Sequence, residues 1–200
     1  MIKSRNFLLS CRNRILSSIF RMTVDLSSIS FISMNCIGGI MYIDGKTQFM
    51  SPTVGLYFLP DDFIKFVNNL DYYLSQVPVV TMGEKFPVGK IDDITINFMH
   101  YETPEEALSK WERRKRRINK DNIFILMVER DGFLDEHFES FKKIKYPKLL
   151  YVKSPKYICE DSVFIRKYKS EPQIPDLIPK REMYYKWIIV KRLRRINRDR

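Results

Sequence analysis

The chain has 200 residues, enough for one domain with a substantial core. Its 44% hydrophobic share, 14% aromatics and only 7 glycines exclude a disordered or low-complexity protein. A formal net charge of +11 directs attention to acidic partners: nucleic acid, anionic lipid headgroups or phosphorylated small molecules.

The charge is uneven. It gathers in Lys3 to Arg21, Lys110 to Arg117 and Lys186 to Arg200, and clustering at both ends favours a surface role for it. Cys11, Cys36 and Cys159 are an odd number without CxxC spacing, so neither a disulfide framework nor a zinc site is expected. A reduced, cytoplasmic setting fits them. Phe7-Leu-Leu9 follows basic residues as a signal peptide would, but Arg12, Arg14 and Arg21 interrupt the apolar stretch. No window is long and uncharged enough for a transmembrane helix.

Taken in order, Lys3 to Thr23 has helical periodicity, with Leu8, Cys11, Ile15, Ile19 and Met22 on one stripe. It reads either as an extra helix docked on the domain or as a basic amphipathic helix on a membrane surface. Ile29 to Met34 is a buried strand that stops in the polar, glycine-bearing turn Asn35-Cys-Ile-Gly-Gly39. Ligands in α/β proteins sit beyond such strand ends. Ile40 to Ile43 is expected as a short second strand ended by the hairpin dipeptide Asp44-Gly45. Pro60-Asp-Asp62 opens a helix whose Phe63, Phe66, Val67, Leu70 and Leu74 form one stripe.

Val77 to Met82 reads as extended, and Lys85 to Lys90 as a loop broken by Pro87 and Gly89. Ile91 to Met99 alternates as a strand and ends at His100-Tyr101. Thr103-Pro-Glu-Glu106 is a capping box with proline at the first helical position, starting a helix to about Ile118. Asn122 to Val128 is the clearest buried strand and ends at Glu129-Arg-Asp-Gly132. A helix bearing Phe138 and Phe141 follows, then the strands Lys148 to Val152 and Ser162 to Ile165. Strand, helix, strand, helix, strand from Asp92 to Val152 predicts right-handed crossovers and a mainly parallel sheet. Pro172, Pro175 and Pro179 mark a linker, and Glu182 to Arg200 reads as a basic helix with Trp187, Ile188, Val190 and Leu193.

The expected fold is therefore α/β: a mainly parallel sheet with flanking helices, Rossmann-like and three-layered. It carries a basic N-terminal helix (1–25), the α/β domain (26–170), and a proline-containing linker with a basic C-terminal helix (171–200).

In a parallel sheet the strand ends share a rim, and three of those ends carry reactive types: Asn35-Cys36, His100 and Arg130-Asp131. A catalytic set follows from this, with Cys36 as nucleophile, His100 as its base and Asp131 orienting the ring. Amides around Gly38 and Gly39 are the candidate oxyanion donors. The plain alternatives are a small core cysteine, a structural histidine and a turn at Asp131-Gly132. Asp92 and Asp93 point to opposite faces, so they make no dyad. Capping or loop salt bridging is their favoured role, with a metal or a sugar hydroxyl on one of them as the alternative; Asp93 is placed in the substrate-binding set.

The run Trp111-Glu-Arg-Arg-Lys-Arg-Arg117 is the densest in charge. Arg113, Arg114 and Arg117 read either as a grip for the phosphates of a nucleotide, coenzyme A or a lipid-linked sugar, or as a solvated face opposite Trp111. The run sits on a crossover helix, so it flanks a site more naturally than it enters a DNA groove, and nucleic acid is not the expected partner. No P-loop or dinucleotide fingerprint is present.

Ser33-Met-Asn-Cys-Ile-Gly-Gly39, Ser51-Pro-Thr53, Val88-Gly-Lys-Ile-Asp-Asp-Ile94, Phe98-Met-His-Tyr101, Lys110 to Ile118 and Asp131-Gly132 together resemble the bacterial DUF1919 family, a domain of unknown function. Its members are often labelled exopolysaccharide biosynthesis proteins. The resemblance spans Ser28 to Tyr168 and departs at Met34, where the family's turn often carries a second asparagine. It implies an α/β fold and a role in surface-glycan synthesis. The Asn-Cys turn is also similar to that of polysaccharide-cluster proteins thought to bind coenzyme A, which implies acyl transfer to a glycan. The expected activity is thus a transferase with no tightly bound cofactor, using a coenzyme A thioester or another phosphorylated donor and a glycan acceptor. Asn35, Gly38, Gly39, Ser51, Asp93, Arg113, Arg114, Arg117 and Arg130 are its expected substrate-binding residues. The alternative is a non-catalytic assembly protein, peripheral at the inner face of the cell membrane.

Overall fold

The computed structural model describes residues 25–176 and 188–193. The amphipathic N-terminal stretch, Pro179 and most of the basic C-terminal stretch lie outside the described residues.

Four parallel strands form the main sheet: β1 (Ser30–Ser33), β5 (Ile123–Val128), β6 (Lys148–Val152) and β7 (Ser162–Phe164), side by side in that order. Every residue of β1, β5 and β6 is buried. That is the reason Ile123–Val128 reads as an unbroken apolar run: a parallel sheet is covered on both faces, so alternation has nothing to report.

The two faces carry separate cores. Ile32, Ile125, Met127, Leu150 and Val152 face helices α2 (Pro60–Asn68), α3 (Leu70–Ser75), α4 (Pro104–Lys115) and α5 (Asp135–Lys143), meeting Phe63, Phe66, Trp111, Phe138 and Phe141. Phe31, Phe124, Leu126, Val128, Leu149 and Tyr151 face α1 (Ile37–Gly45) and the helical residues 188–193. Ile189, Val190 and Leu193 are almost fully buried there, so the described part of the C-terminal stretch is core. A separate antiparallel sheet is made of β2 (Val79–Met82), β3 (Pro87–Ile91) and β4 (Ile94–Asn97).

Four expectations change. Ile40 to Ile43 is helical, inside α1, and Asp44-Gly45 ends a helix; Lys46, with φ 53°, supplies its left-handed cap. Short apolar runs are ambiguous between strand and helix, and here Asn35 tips the balance because its Oδ1 accepts from the Ile37 amide at 3.2 Å. Ile91 to Met99 is a hairpin turn and a strand, reversed at Asp92 (φ 50°), and the expected loop before it is β3, with Pro87 at its first position. The Asp92 strand therefore belongs to the small sheet, and the parallel repeat is β5–α5–β6. The Pro60 to Leu74 helix is two helices, broken at Asn69. No helix among the described residues is long and apolar enough to cross a membrane.

Close packing of α1 on β1 requires glycine at position 38. A Cβ on Gly38 would stand 2.9 Å from the Ser33 Cβ and 3.1 Å from the Phe31 Cβ, neither of which can swing away. Gly38→Ala is expected to destabilise the fold by about 1–3 kcal/mol through overpacking. A lower urea midpoint at unchanged m-value checks it; an unchanged midpoint would show that the helix lifts without cost.

Candidate functional site at the carboxyl rim of the parallel sheet

The carboxyl ends of β1 and β5 are neighbours, so Asn35-Cys36 and Arg130-Asp131 lie on one rim, whereas His100 follows a strand of the antiparallel sheet. The turn after β1 is closed on itself. Ser33 Oγ donates to the Asn35 carbonyl at 2.6 Å and accepts from the Gly38 amide at 3.2 Å. That amide is committed to the turn and is no oxyanion donor. Ser51 is also internal: it bonds Thr53, whose hydroxyl contacts Phe31 O and the Ser33 amide, closing the outer edge of β1.

Cys36 is buried, with its sulfur 3.9 Å from Leu56 O. Burial, with the Asp176 carboxylate adding to it, pushes the thiol up to about 11. It is a protonated thiol at neutral pH. His100 is held by its backbone, whose N–H donates to Gly55 O at 3.1 Å, and its ring is exposed with no polar partner among the described residues. Cys36 and His100 thus share the Gly55–Leu56 segment, and Asp131 lies in the turn beyond the neighbouring strand β5. Their polar bonds run elsewhere: Cys36 to Leu56, Asp131 to Arg130. No nucleophile–base–orienter chain is formed.

The end of β5 is the chemically richer part. Phe133 N donates to Arg130 O at 3.2 Å, with Asp131 and Gly132 at φ 54° and 85°, the signature of a tight primed turn. Arg130 Nε bonds Asp131 Oδ2 at 2.8 Å, and its Nη1 lies 3.6 Å from Asp176. The Asp131 amide donates to Gln173 Oε1 at 3.0 Å, and Ile174 N to Glu129 O at 3.3 Å, so the segment 172–176 straps the rim. Glu129 is buried and its carboxylate accepts from the amides of Lys153 and Ser154, at 2.6 and 2.9 Å, and from the Ser154 hydroxyl.

These groups enclose an open pocket of about 730 Å³, bounded by Glu129 to Glu136, Lys153, Ser154, Lys156, Tyr157, Pro172 and Gln173. Asp135 lies below the usual carboxylate range because Lys156 and then Tyr157 hydrogen-bond it. Of the residues expected from sequence, Arg130 and Asp131 line this pocket. Glu129, Phe133, Lys153, Ser154, Lys156, Tyr157 and Gln173 were missed. The same strand-end rule applied after Val152 finds Lys153-Ser154 at once.

The arginine run is set apart. Arg114 is buried, donating to Val54 O at 2.9 Å and to the Tyr101 hydroxyl, with its guanidinium 4.7 Å from the Phe49 ring centre. Arg117 reaches Phe49 O at 3.5 Å and Arg113 is solvent-exposed. Their helix begins beside His100 and delivers Asn119 to Ser30 Oγ and Ser28 O, at the amino end of β1. The run thus leads away from the rim, and none of its arginines lines the pocket. Asp93 binds Tyr73 Oη (2.6 Å) and Lys65 Nζ (2.9 Å), and Asp92 binds Tyr72 Oη (3.1 Å), which is the loop-bridging role.

Asp61, Glu136 and His137 bring ligand-type atoms within 4.8 Å of one another. The Leu134 amide donates to His137 Nδ1 at 2.8 Å, so Nε2 carries the ring proton and faces Asp61 Oδ1 at 2.8 Å. That tautomer offers a metal no lone pair, and the pair struts α2 against α5.

A family model described as Domain of unknown function (DUF1919) matches residues 10–199, a longer span than the motifs covered. The chain is 34% identical over 151 residues to an uncharacterized protein of Haemophilus influenzae, covering 74% of this chain and 73% of that one.

In a variant with Cys11 and Cys159 replaced by Ser, alkylation of Cys36 should be slow at pH 7.5 and rise with thiolate fraction until about pH 11. Thiolate absorbance titrating below pH 8.5 would contradict the buried, neutral thiol.

Proposed function

The chain belongs to the DUF1919 family, and from the chemistry of its rim pocket we propose that it is a transferase of bacterial surface-polysaccharide synthesis. It moves an acyl group from a coenzyme A thioester to a glycan hydroxyl, at the cytoplasmic side of the membrane. The observation that carries this reading is the pocket itself. It is of small-molecule size, it lies where α/β sheets bind ligands, and its wall alternates carboxylates and amines with the rings of Phe133 and Tyr157. Such a lining suits a hydroxyl-bearing ring better than an aliphatic ligand.

His100, which lies outside the pocket lining on the Gly55–Leu56 segment, is the base in this scheme. It removes the hydroxyl proton as the oxygen attacks the thioester carbonyl; the carbon–sulfur bond then breaks and the proton passes to the departing thiolate. Cys36, as a neutral buried thiol, supports the turn and carries no acyl group. Asn35 orients the start of α1 through its bond to Ile37.

A second reading is a non-catalytic binding protein of a polysaccharide cluster, peripheral at the membrane through its basic ends. What favours it is the lack of hydrogen bonds joining Cys36, His100 and Asp131.

The test is acyl transfer from thioesters to glycan acceptors by the full chain. His100→Ala is expected to lose about 10²–10⁴-fold in rate with an unchanged melting temperature, since the ring is exposed with no polar partner among the described residues. Full activity in that variant would remove His100 from the reaction. Acceptor binding with no turnover of any thioester would favour the second reading.

A further inference from the structure

We infer that the rim pocket selects by charge: it takes an uncharged glycosyl unit and turns away the phosphorylated or uronate form of the same sugar. This rests on the reading of the pocket as the acceptor site and names the chemical class of that acceptor.

The protein as a whole is strongly basic, yet this pocket is not. Its three cations are all committed. Arg130 is held by Asp131 and Asp176, at 2.8 and 3.6 Å. Lys153 Nζ lies 3.9 Å from the buried Glu129 carboxylate, and Lys156 is bonded to Asp135. Glu136, exposed on the same wall, has no cation paired with it among the described residues. An incoming phosphate would therefore meet amines whose charge a carboxylate already offsets, with like charges a few ångströms away.

Helix starts give an anion no refuge either. The α5 start lines the pocket and the α2 start is bonded to it through Asp61 and His137. Both first turns already hold acidic side chains, Asp61 and Asp62 in one and Asp135 and Glu136 in the other. These offset the positive ends of the two helix dipoles.

A neutral sugar has no such conflict. Paired carboxylates keep lone pairs for hydroxyl protons, and paired ammonium and guanidinium groups keep spare N–H donors. The half-buried ring of Phe133 offers apolar surface for a sugar's C–H face. Gly132, with nothing within 4 Å of where a Cβ would stand, leaves the approach over the turn open.

The experiment uses the full chain and ligand-observed saturation-transfer NMR at fixed ionic strength. The probes are matched pairs: methyl glucoside against glucose 1-phosphate and glucuronate, and N-acetylglucosamine and galactose against their 1-phosphates. In at least one pair the neutral member should bind about tenfold or more tightly than its anionic partner. Phe133→Ala should abolish that binding. Glu136→Lys, a change at an exposed position, should cut the discrimination about tenfold by strengthening the anionic member. Equal or tighter binding of the anionic members by the unaltered chain overturns the inference, as does no Phe133-dependent binding of any neutral sugar at tens of millimolar. Neutral-sugar binding without acyl turnover would sink the transferase reading and leave charge selection standing; turnover with an anionic preference would do the reverse.

Discussion

The buried carboxylate of Glu129 is the interaction on which the rim depends. It stands where β5 leaves the core, and it gathers three otherwise separate parts of the chain. Its side chain accepts from the amides of Lys153 and Ser154 and from the Ser154 hydroxyl, fixing the path of the chain after β6. Its own amide bonds Tyr151 O at 2.8 Å, and its carbonyl takes the Ile174 amide of the strap. Hydrogen bonds to an ionised acceptor contribute roughly 1.5–3 kcal/mol each, so this one side chain balances much of the cost of ordering a wide polar loop system. Three parts of the pocket wall adjoin it: the Arg130–Gly132 turn on one side, Lys153 and Ser154 on another, and the strap with Gln173 on the third.

Beyond that clamp, the rim divides into two zones with different chemistry. Around β1, Ser33, Asn35, Ser51 and Thr53 satisfy one another, and the Cys36 thiol is kept neutral by burial. Around β5 and β6, carboxylates and amines pair at the surface of an open pocket. His100 stands on the Gly55–Leu56 segment behind the first zone with its ring in solvent. On the proposed reading, the β1 turn serves as scaffold, the β5–β6 loops recognise the acceptor, and His100 is the base.

What the sequence made legible was whatever depends on short range. The all-apolar Ile123–Val128 strand, the polar stop at Asn35 and the Thr103 cap were readable, and Thr103 Oγ1 does accept from the Glu106 amide at 3.2 Å. The Glu106 carboxylate reaches Glu102 N, one residue earlier than the box predicts. The four apolar residues Ile40 to Ile43 were misread because a run that short fits either period. Arg114 was misread for a different reason: five basic residues in succession look like a solvated or ligand-binding face, and only the placement of Val54, Tyr101 and Phe49 by other elements shows one of them to be internal. The strap at 172–176 was invisible as part of the site, since its proline spacing reads as linker and its bonds to Glu129, Arg130 and Asp131 span more than forty residues.

The most direct test of this account is amide hydrogen exchange in Glu129→Ala compared with the unaltered chain. The amides of Lys153, Ser154 and the turn 130–133 are predicted to lose protection together, while Ile125 and Leu126 in the core of β5 keep theirs and any binding of the neutral-sugar probes disappears. Unchanged protection at Lys153 and Ser154, or ligand binding as tight as before, would show that the rim does not hang from this carboxylate.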